Sequence, residues 1–205
     1  MGFKHQILVA LATASCALAI SPVGSGSWKS VDSKSIVQEC AGGSVSGNTF
    51  ELPESPNGST SGSGCSNGHL RAERRYKNDY SSGVHQFGGQ FKITSMDGDR
   101  VSLKQTFNGD DGPWFILAVK NNGDLYNVEG GDTVASGVAE VGKTVTLNTV
   151  HDADSSKYDV YINGEKTYST TSVGGSYYDK YGAYTTDSGS GPITVEWTDV
   201  TLWTQ

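Results

Sequence analysis

Short runs of alternating apolar and polar residues, each cut off by a turn signal, recur along this chain, and hardly any apolar pattern holds a helical period. Successive side chains of an extended segment point to opposite faces, so each run reads as a strand with one buried face. With 27 glycines and almost no helix signature, the chain is expected to be all-β, a two-sheet sandwich or jelly roll with a groove on one outer face. Strands are expected near Phe50–Leu52, Leu70–Tyr76, Gly88–Met96, Val101–Phe107, Trp114–Lys120, Asp124–Val128, Thr144–Val150, Tyr158–Ile162, Lys166–Ser169, Lys180–Thr185 and Thr194–Trp203. Asn122-Gly123 and Asn163-Gly164 are the strongest hairpin signals. Pro53 to Gly68 is poor in hydrophobic residues and rich in Ser, Gly and Asn, and reads as a long loop within the same domain.

The N-terminal residues read differently. A basic start (Lys4, His5), an apolar run from Ile7 to Ala19 and the small-residue ending Ala17-Leu18-Ala19 make a secretory signal peptide over residues 1–19. The run is too short to span a bilayer. Residues 20–205 are then one secreted, extracellular domain, large enough to bury a core. Of three cysteines, Cys16 leaves with the signal, and the other two, Cys40 and Cys65, are expected to form a disulfide in an oxidising compartment. Asn57-Gly58-Ser59 is a glycosylation sequon in the polar loop. The net charge of −7 argues against nucleic acid or an anionic membrane as partner. Arg71, Arg74, Arg75 and Lys77 nevertheless cluster within a few positions, as a site for an anionic ligand would require.

Two segments carry candidate chemistry. In Leu70-Arg71-Ala72-Glu73-Arg74-Arg75, alternation places Arg71, Glu73 and Arg75 on one face. A guanidinium forks onto a carboxylate, and an acid between two arginines can hold them in place. Charges are prohibitively costly inside a sandwich, so this face must meet solvent or a groove. In Tyr178-Asp-Lys180-Tyr-Gly182-Ala-Tyr184, the residues Tyr178, Lys180, Gly182 and Tyr184 share one face, with the glycine leaving space beside the second phenol. A cation beside a tyrosine favours its phenolate, which would suit proton transfer. A sheet rich in structural tyrosines is the plainer reading of the same spacing.

Taken in order, these segments resemble the jelly-roll alginate lyases, whose motifs are R-x-E-x-R, Q-x-H and Y-x-K-x-G-x-Y. Arg71 to Arg75 matches the first, Tyr178 to Tyr184 the third, and Gln105-Thr106-Phe107 the second in its glutamine only. The resemblance spans roughly Leu70 to Trp203. It implies a concanavalin A-like jelly roll and β-elimination at a uronic acid in an anionic polysaccharide, by a monomer that needs no cofactor or metal. Arg71 and Gln105 would neutralise the carboxylate, and Tyr184 would remove the C5 proton and protonate O4. Arg75, Glu73, Lys180, Tyr178 and His85 would bind substrate.

Phe107 stands where those lyases carry histidine. A single tyrosine can serve as both base and acid only if both protons lie on one side of the ring, as in β-1,4-linked mannuronate or glucuronate. The expected substrate is therefore polymannuronate or a glucuronan; the fungal glucuronan lyases are a related jelly-roll group. His69 and His85 are candidate substitutes for the lost histidine, although nothing in the spacing sets either beside Tyr184. Alternation through Val101, Leu103, Gln105 and Phe107 puts Gln105 on an apolar face. That face either lines an aromatic sugar groove, as the order of the motifs favours, or holds Gln105 as a hydrogen-bonded structural residue. Asp152 with Asp154, and Asp110 with Asp111, lack the spaced oxygens of a calcium loop. With Phe107 in place of histidine, a non-catalytic carbohydrate-binding sandwich is the rival reading.

Overall fold

The computed structural model describes residues 20–205, and the signal-peptide expectation for residues 1–19 lies outside them. The described residues form strands, turns and loops without a helix. In chain order the strands are β1 (Lys29–Val31), β2 (Ser35–Cys40), β3 (Ser44–Ser46), β4 (Thr49–Leu52), β5 (Arg71–Tyr76), β6 (Val84–Met96), β7 (Arg100–Asn108) and β8 (Gly112–Lys120). They continue with β9 (Leu125–Asn127), β10 (Thr133–Ala135), β11 (Thr144–Asp152), β12 (Lys157–Ile162), β13 (Glu165–Thr171), β14 (Tyr177–Tyr184) and β15 (Ile193–Thr204). One sheet runs β13-β12-β11-β6-β15-β4-β3, with β1 added to β15, and the other runs β10-β9-β8-β7-β14-β5-β2. The expected two-sheet sandwich is what the chain forms. The region before Cys65, which carries no part of the resemblance, supplies β2, the strand that covers β5.

The Asn-Gly hairpins differ in kind. Asn163 and Gly164 both take positive φ (53° and 85°), as a two-residue hairpin turn demands. At Asn122-Gly123 only the glycine does (81°), so the loop joining β8 to β9 is wider.

The core lies between the sheets. Phe87, Phe91 and Ile93 of β6 pack with Phe115 and Leu117 of β8 and Trp197 of β15, all fully buried. Burying each such side chain contributes roughly 1.5–3 kcal/mol. Tyr181 drives the reverse face of β14 into this cluster, edge-on to Phe50 and Trp197 with ring centroids 5.4 Å apart in both pairs. That packing fixes which face of β14 looks outward.

Not every inward side chain is apolar. Lys104 is fully buried, its Nζ 2.9 Å from a carboxylate oxygen of Asp179 and 2.9 Å from the Tyr158 hydroxyl. Burial alone would raise the Asp179 pKa, but the Lys104 charge and hydrogen bonds from Lys104, Asn78 and Thr106 outweigh it and hold the carboxyl below its usual range. Burial likewise works against the Lys104 charge, and Asp179 and Tyr158 restore it. Charge in a sandwich interior is thus tolerated here because it is paired and hydrogen-bonded.

The loop from Pro53 to Gly68 has no strand, as expected, and Asn57 within it is exposed. Its far end is tied to β2 by the disulfide Cys40–Cys65, with Cα atoms 5.5 Å apart. Backbone bonds from Ala41 to Ser59 and from Asn57 to Ala41 hold its near half.

Candidate active site

Three strands adjacent in space but distant in sequence build the site. β14 lies between β5 and β7, pairing Tyr184 with Arg71, Gly182 with Glu73, and Lys180 with Arg75 on one side. On the other side it pairs Lys180 with Gln105 and Tyr178 with Phe107. The alternation expected for Tyr178 to Tyr184 holds: Tyr181 and Ala183 enter the core, and Lys180 and Tyr184 line a cleft on the outer face.

Gln105 reaches the same cleft by a route that simple alternation misses. A bulge opposite β8, between Ser102 and Lys104, inserts one residue into β7. The phase reverses there, so Val101 and Leu103 face the core while Gln105 and Phe107 face the cleft. Gln105 thus lines the cleft beside Phe107, Pro113 and Ile116, while the bulge separates it from the core side chains before it.

Glu73 is the hub. It accepts a hydrogen bond from Arg71 Nη1 through one carboxylate oxygen and from Gln105 Nε2 through the other. Its bridge from β5 to β7 passes over β14 where Gly182 contributes no side chain. Glycine is also needed there for backbone reasons. The residue sits at φ 142°, and a Cβ would come 2.2 Å from the Ala72 carbonyl oxygen.

The cations divide by partner. Arg71 is engaged by Glu73, its Cζ lies 4.0 Å from the Tyr184 ring centroid, and its buried Nε has no partner. Arg75 bonds Asp79 at 2.9 Å and lies 3.9 Å over the Tyr178 ring. Lys180 Nζ lies 4.9 Å over the Phe107 ring, and burial pulls its pKa below the usual value, with Glu73 opposing and Arg71 and Arg75 reinforcing. Phe107 stacks on Tyr178 at 5.1 Å, which makes an aromatic floor at this end. Two clefts of about 490 and 500 Å³ meet here and share Asn67, Arg71, Phe107 and Lys180.

Tyr184 is 8% exposed, and its hydroxyl is held from the loop side. Asn67 Nδ2 donates to it at 2.9 Å, and His69 Nδ1 lies 2.9 Å away. The electrostatic expectation for this phenol is overturned. Burial raises its pKa above the ordinary tyrosine value, and Arg71 and Asn67 only partly offset that. In the resting protein the phenol is protonated.

Of the residues singled out in the sequence, Arg71, Glu73, Gln105, Lys180 and Tyr184 converge, with Arg75 and Tyr178 at one end. His85 does not join them. It lies on β6 in the opposite sheet, stacked on Tyr80 at 3.8 Å, and lines a separate cleft of about 300 Å³ with Trp203. His69 corrects the expectation in the other direction, because the fold brings it into contact with Tyr184. Asn67 and Asp187 were missed altogether; they lie on polar loops with no signal in their local sequence. Among the described residues no three or more His, Cys, Asp or Glu side chains gather as a metal site.

No protein-family profile and no curated protein sequence matches this chain. Solved structures do resemble it. An alginate lyase from Corynebacterium sp. superposes with a TM-score of 0.59 at 20% identity, covering 75% of each chain. The marine alginate lyase AlyA1 from Zobellia galactanivorans, of polysaccharide lyase family 7, gives 0.59 at 15% identity, covering 77% of each. Alginate lyase AlyC3 in complex with dimannuronate gives 0.52 at 11% identity, covering 65% of this chain and 70% of that one. The chain shares the jelly-roll fold of these enzymes.

Proposed function

We propose that this protein is a secreted polysaccharide lyase that cleaves a β-1,4-linked uronate polymer, polymannuronate or a glucuronan, by β-elimination. The observation that carries the reading is the meeting of Arg71, Gln105, Lys180 and Tyr184 in one cleft, drawn from three strands and organised by Glu73. The likeness to alginate lyase structures, one of them holding dimannuronate, supports the same class of substrate.

Each role follows from chemistry. Removing the C5 proton delocalises charge onto the uronate carboxylate, and donors placed there lower the barrier. Arg71, with its unpartnered Nε, and the Gln105 amide supply them, and Glu73 fixes both. Lys180 and Arg75 attract the carboxylates of the chain, and the Tyr178–Phe107 stack gives a flat apolar surface for a sugar ring. Tyr184, once its phenol has given up its own proton, takes the proton from C5 and passes it to O4. The C4–O4 bond breaks as the C4=C5 double bond forms. All of this happens on one side of the ring, which suits mannuronate or glucuronate and not α-linked guluronate. Export through residues 1–19, glycosylation at Asn57, and action as a monomer without cofactor belong to the same reading.

The second reading rests on Phe107. Stacked on Tyr178 where a proton-transfer histidine is expected, it suits a carbohydrate-binding protein without activity. Incubation with polymannuronate, polyguluronate, glucuronan and pectate, each followed by the ultraviolet absorbance of the unsaturated product, separates the two. Cleavage of a mannuronate or glucuronate polymer, abolished by Tyr184→Phe in a folded protein, is the expected result. Binding without cleavage supports the second reading, and equal or faster cleavage of polyguluronate overturns the stereochemical argument.

A further inference from the structure

We propose that His69, oriented by Asp187, accepts the phenolic proton of Tyr184 and so replaces the motif histidine lost to Phe107. The inference rests on the lyase reading of the cleft. His69 Nδ1 is 2.9 Å from the Tyr184 hydroxyl oxygen and 2.9 Å from the Thr185 carbonyl oxygen, and its Nε2 is 3.0 Å from Asp187 Oδ1. The arrangement is built into the backbone: Thr185 N–H donates to the Leu70 carbonyl at 3.0 Å, which locks the segment leaving β14 to the one entering β5.

The Thr185 carbonyl, which can only accept, favours the tautomer with the proton on Nδ1. The relay operates in the other tautomer, which donates Nε2–H to the Asp187 carboxylate and turns the Nδ1 lone pair toward Tyr184. Tyr184 O–H then donates to Nδ1, and Asn67 Nδ2 donates to the same oxygen at 2.9 Å. One oxygen lone pair remains for substrate. When the phenol proton crosses to Nδ1, the Thr185 carbonyl is in place to accept the new N–H, and Asn67 stays bonded to the phenolate. The charged and titratable groups facing His69 are Asp187 from the following loop and Tyr184 from β14, with Arg71 of β5 beyond the phenol ring.

The proton count closes. Tyr184 passes its proton to His69 and takes the one from C5. The C5–H electron pair becomes the C4=C5 bond, and the C4–O4 pair leaves on O4. O4 is protonated by Tyr184, which recovers its own proton from His69. Because His69 works through the Tyr184 oxygen, it opens no second path to the opposite sugar face, and the one-sided substrate preference stands. Asp187 is 98% exposed at its side chain, so its pairing with His69 is weak and its share smaller.

The decisive variant is His69→Asn, whose amide can occupy the Nδ1 position and bond Tyr184 but cannot take its proton. On the polymer that wild type cleaves, kcat should fall by roughly 10²- to 10⁴-fold with KM within about threefold, and the acid limb of the pH profile should vanish. Asp187→Asn should lose about tenfold or less. In parallel, His69, His85 and His151, the histidines of residues 20–205, are titrated by NMR in wild type and Tyr184→Phe, with His69 assigned through its variant. A displaced His69 midpoint in Tyr184→Phe supports the contact without recourse to activity. Cleavage by His69→Asn with wild-type kcat and pH profile overturns the relay and leaves the lyase reading intact. An unmoved His69 titration also overturns it. If wild type cleaves no polymer, the lyase reading fails and the relay with it.

Discussion

Neutralising Asp179 should destabilise the protein far more than its position beside two cleft residues suggests. Its carboxylate is 5% exposed and lies 2.9 Å from the Nζ of Lys104, a lysine with no exposed surface, wedged among Phe87, Phe115 and Tyr158. Asp179→Asn keeps bonding atoms for Asn78 and Thr106 but strands the ammonium. Breaking such a pair from one side costs about 3–5 kcal/mol. For a domain of this size each kcal/mol moves Tm by roughly 2–4 °C, so Tm should fall by about 6–20 °C. The companion variant Lys104→Met/Asp179→Asn removes both charges and should recover most of the loss. Thermal unfolding followed by circular dichroism, with urea unfolding at 25 °C as a second measure, reads both numbers. Below the lowered Tm, kcat/KM on the cleaved polymer should stay within a few-fold, since neither side chain enters the cleft. A Tm for Asp179→Asn within about 2 °C of wild type, or a double variant no better than the single, refutes the claim that the interior charge is held by its partner.

Acid should weaken the fold through His151. Burial pushes its pKa from 6.5 down to about 4, so the folded state resists a proton that the unfolded chain accepts. Stability should be full above pH 6.5 and fall by roughly 3 kcal/mol as pH drops to about 4; His151→Gln should flatten that slope in Tm measured against pH. Replacing Cys40 and Cys65 by serine opens a crosslink spanning 25 positions and should cost about 3 kcal/mol. Because the segment released at Cys65 leads directly into Asn67 and His69, limited proteolysis should cut the loop sooner and kcat should fall with it. Glu73→Gln should lower kcat/KM by about 10- to 100-fold with little change in far-ultraviolet circular dichroism, because Arg71 and Gln105 lose their shared anchor.

The two-sheet class was legible because alternation is local: which side chains a strand buries follows from neighbours along the chain. The faces of Tyr178 to Tyr184 and of Arg71 to Arg75 came from that rule alone. The rule broke at Leu103, where the bulge turned Gln105 outward and Lys104 inward, because a bulge depends on register with a partner strand. The strands β1, β2, β3 and β10 went unread for a related reason: short or polar, they carry too little alternation and owe their form to the strands they edge.

By itself the sequence determined what is carried by composition and period: an all-β sandwich, a cysteine pair free to bond, and two outward faces bearing arginines, a lysine and tyrosines. Tertiary structure alone decided which of those groups meet. His85 was sent to the opposite sheet, while His69, Asn67 and Asp187 were gathered around one phenol from loops without periodic pattern. It also decided that burial, not the nearby arginine, sets the protonation of Tyr184. Contacts between residues more than a hundred positions apart depend on sheet order and loop closure, and desolvation depends on everything packed around a group. Neither quantity is a property of a local stretch of sequence.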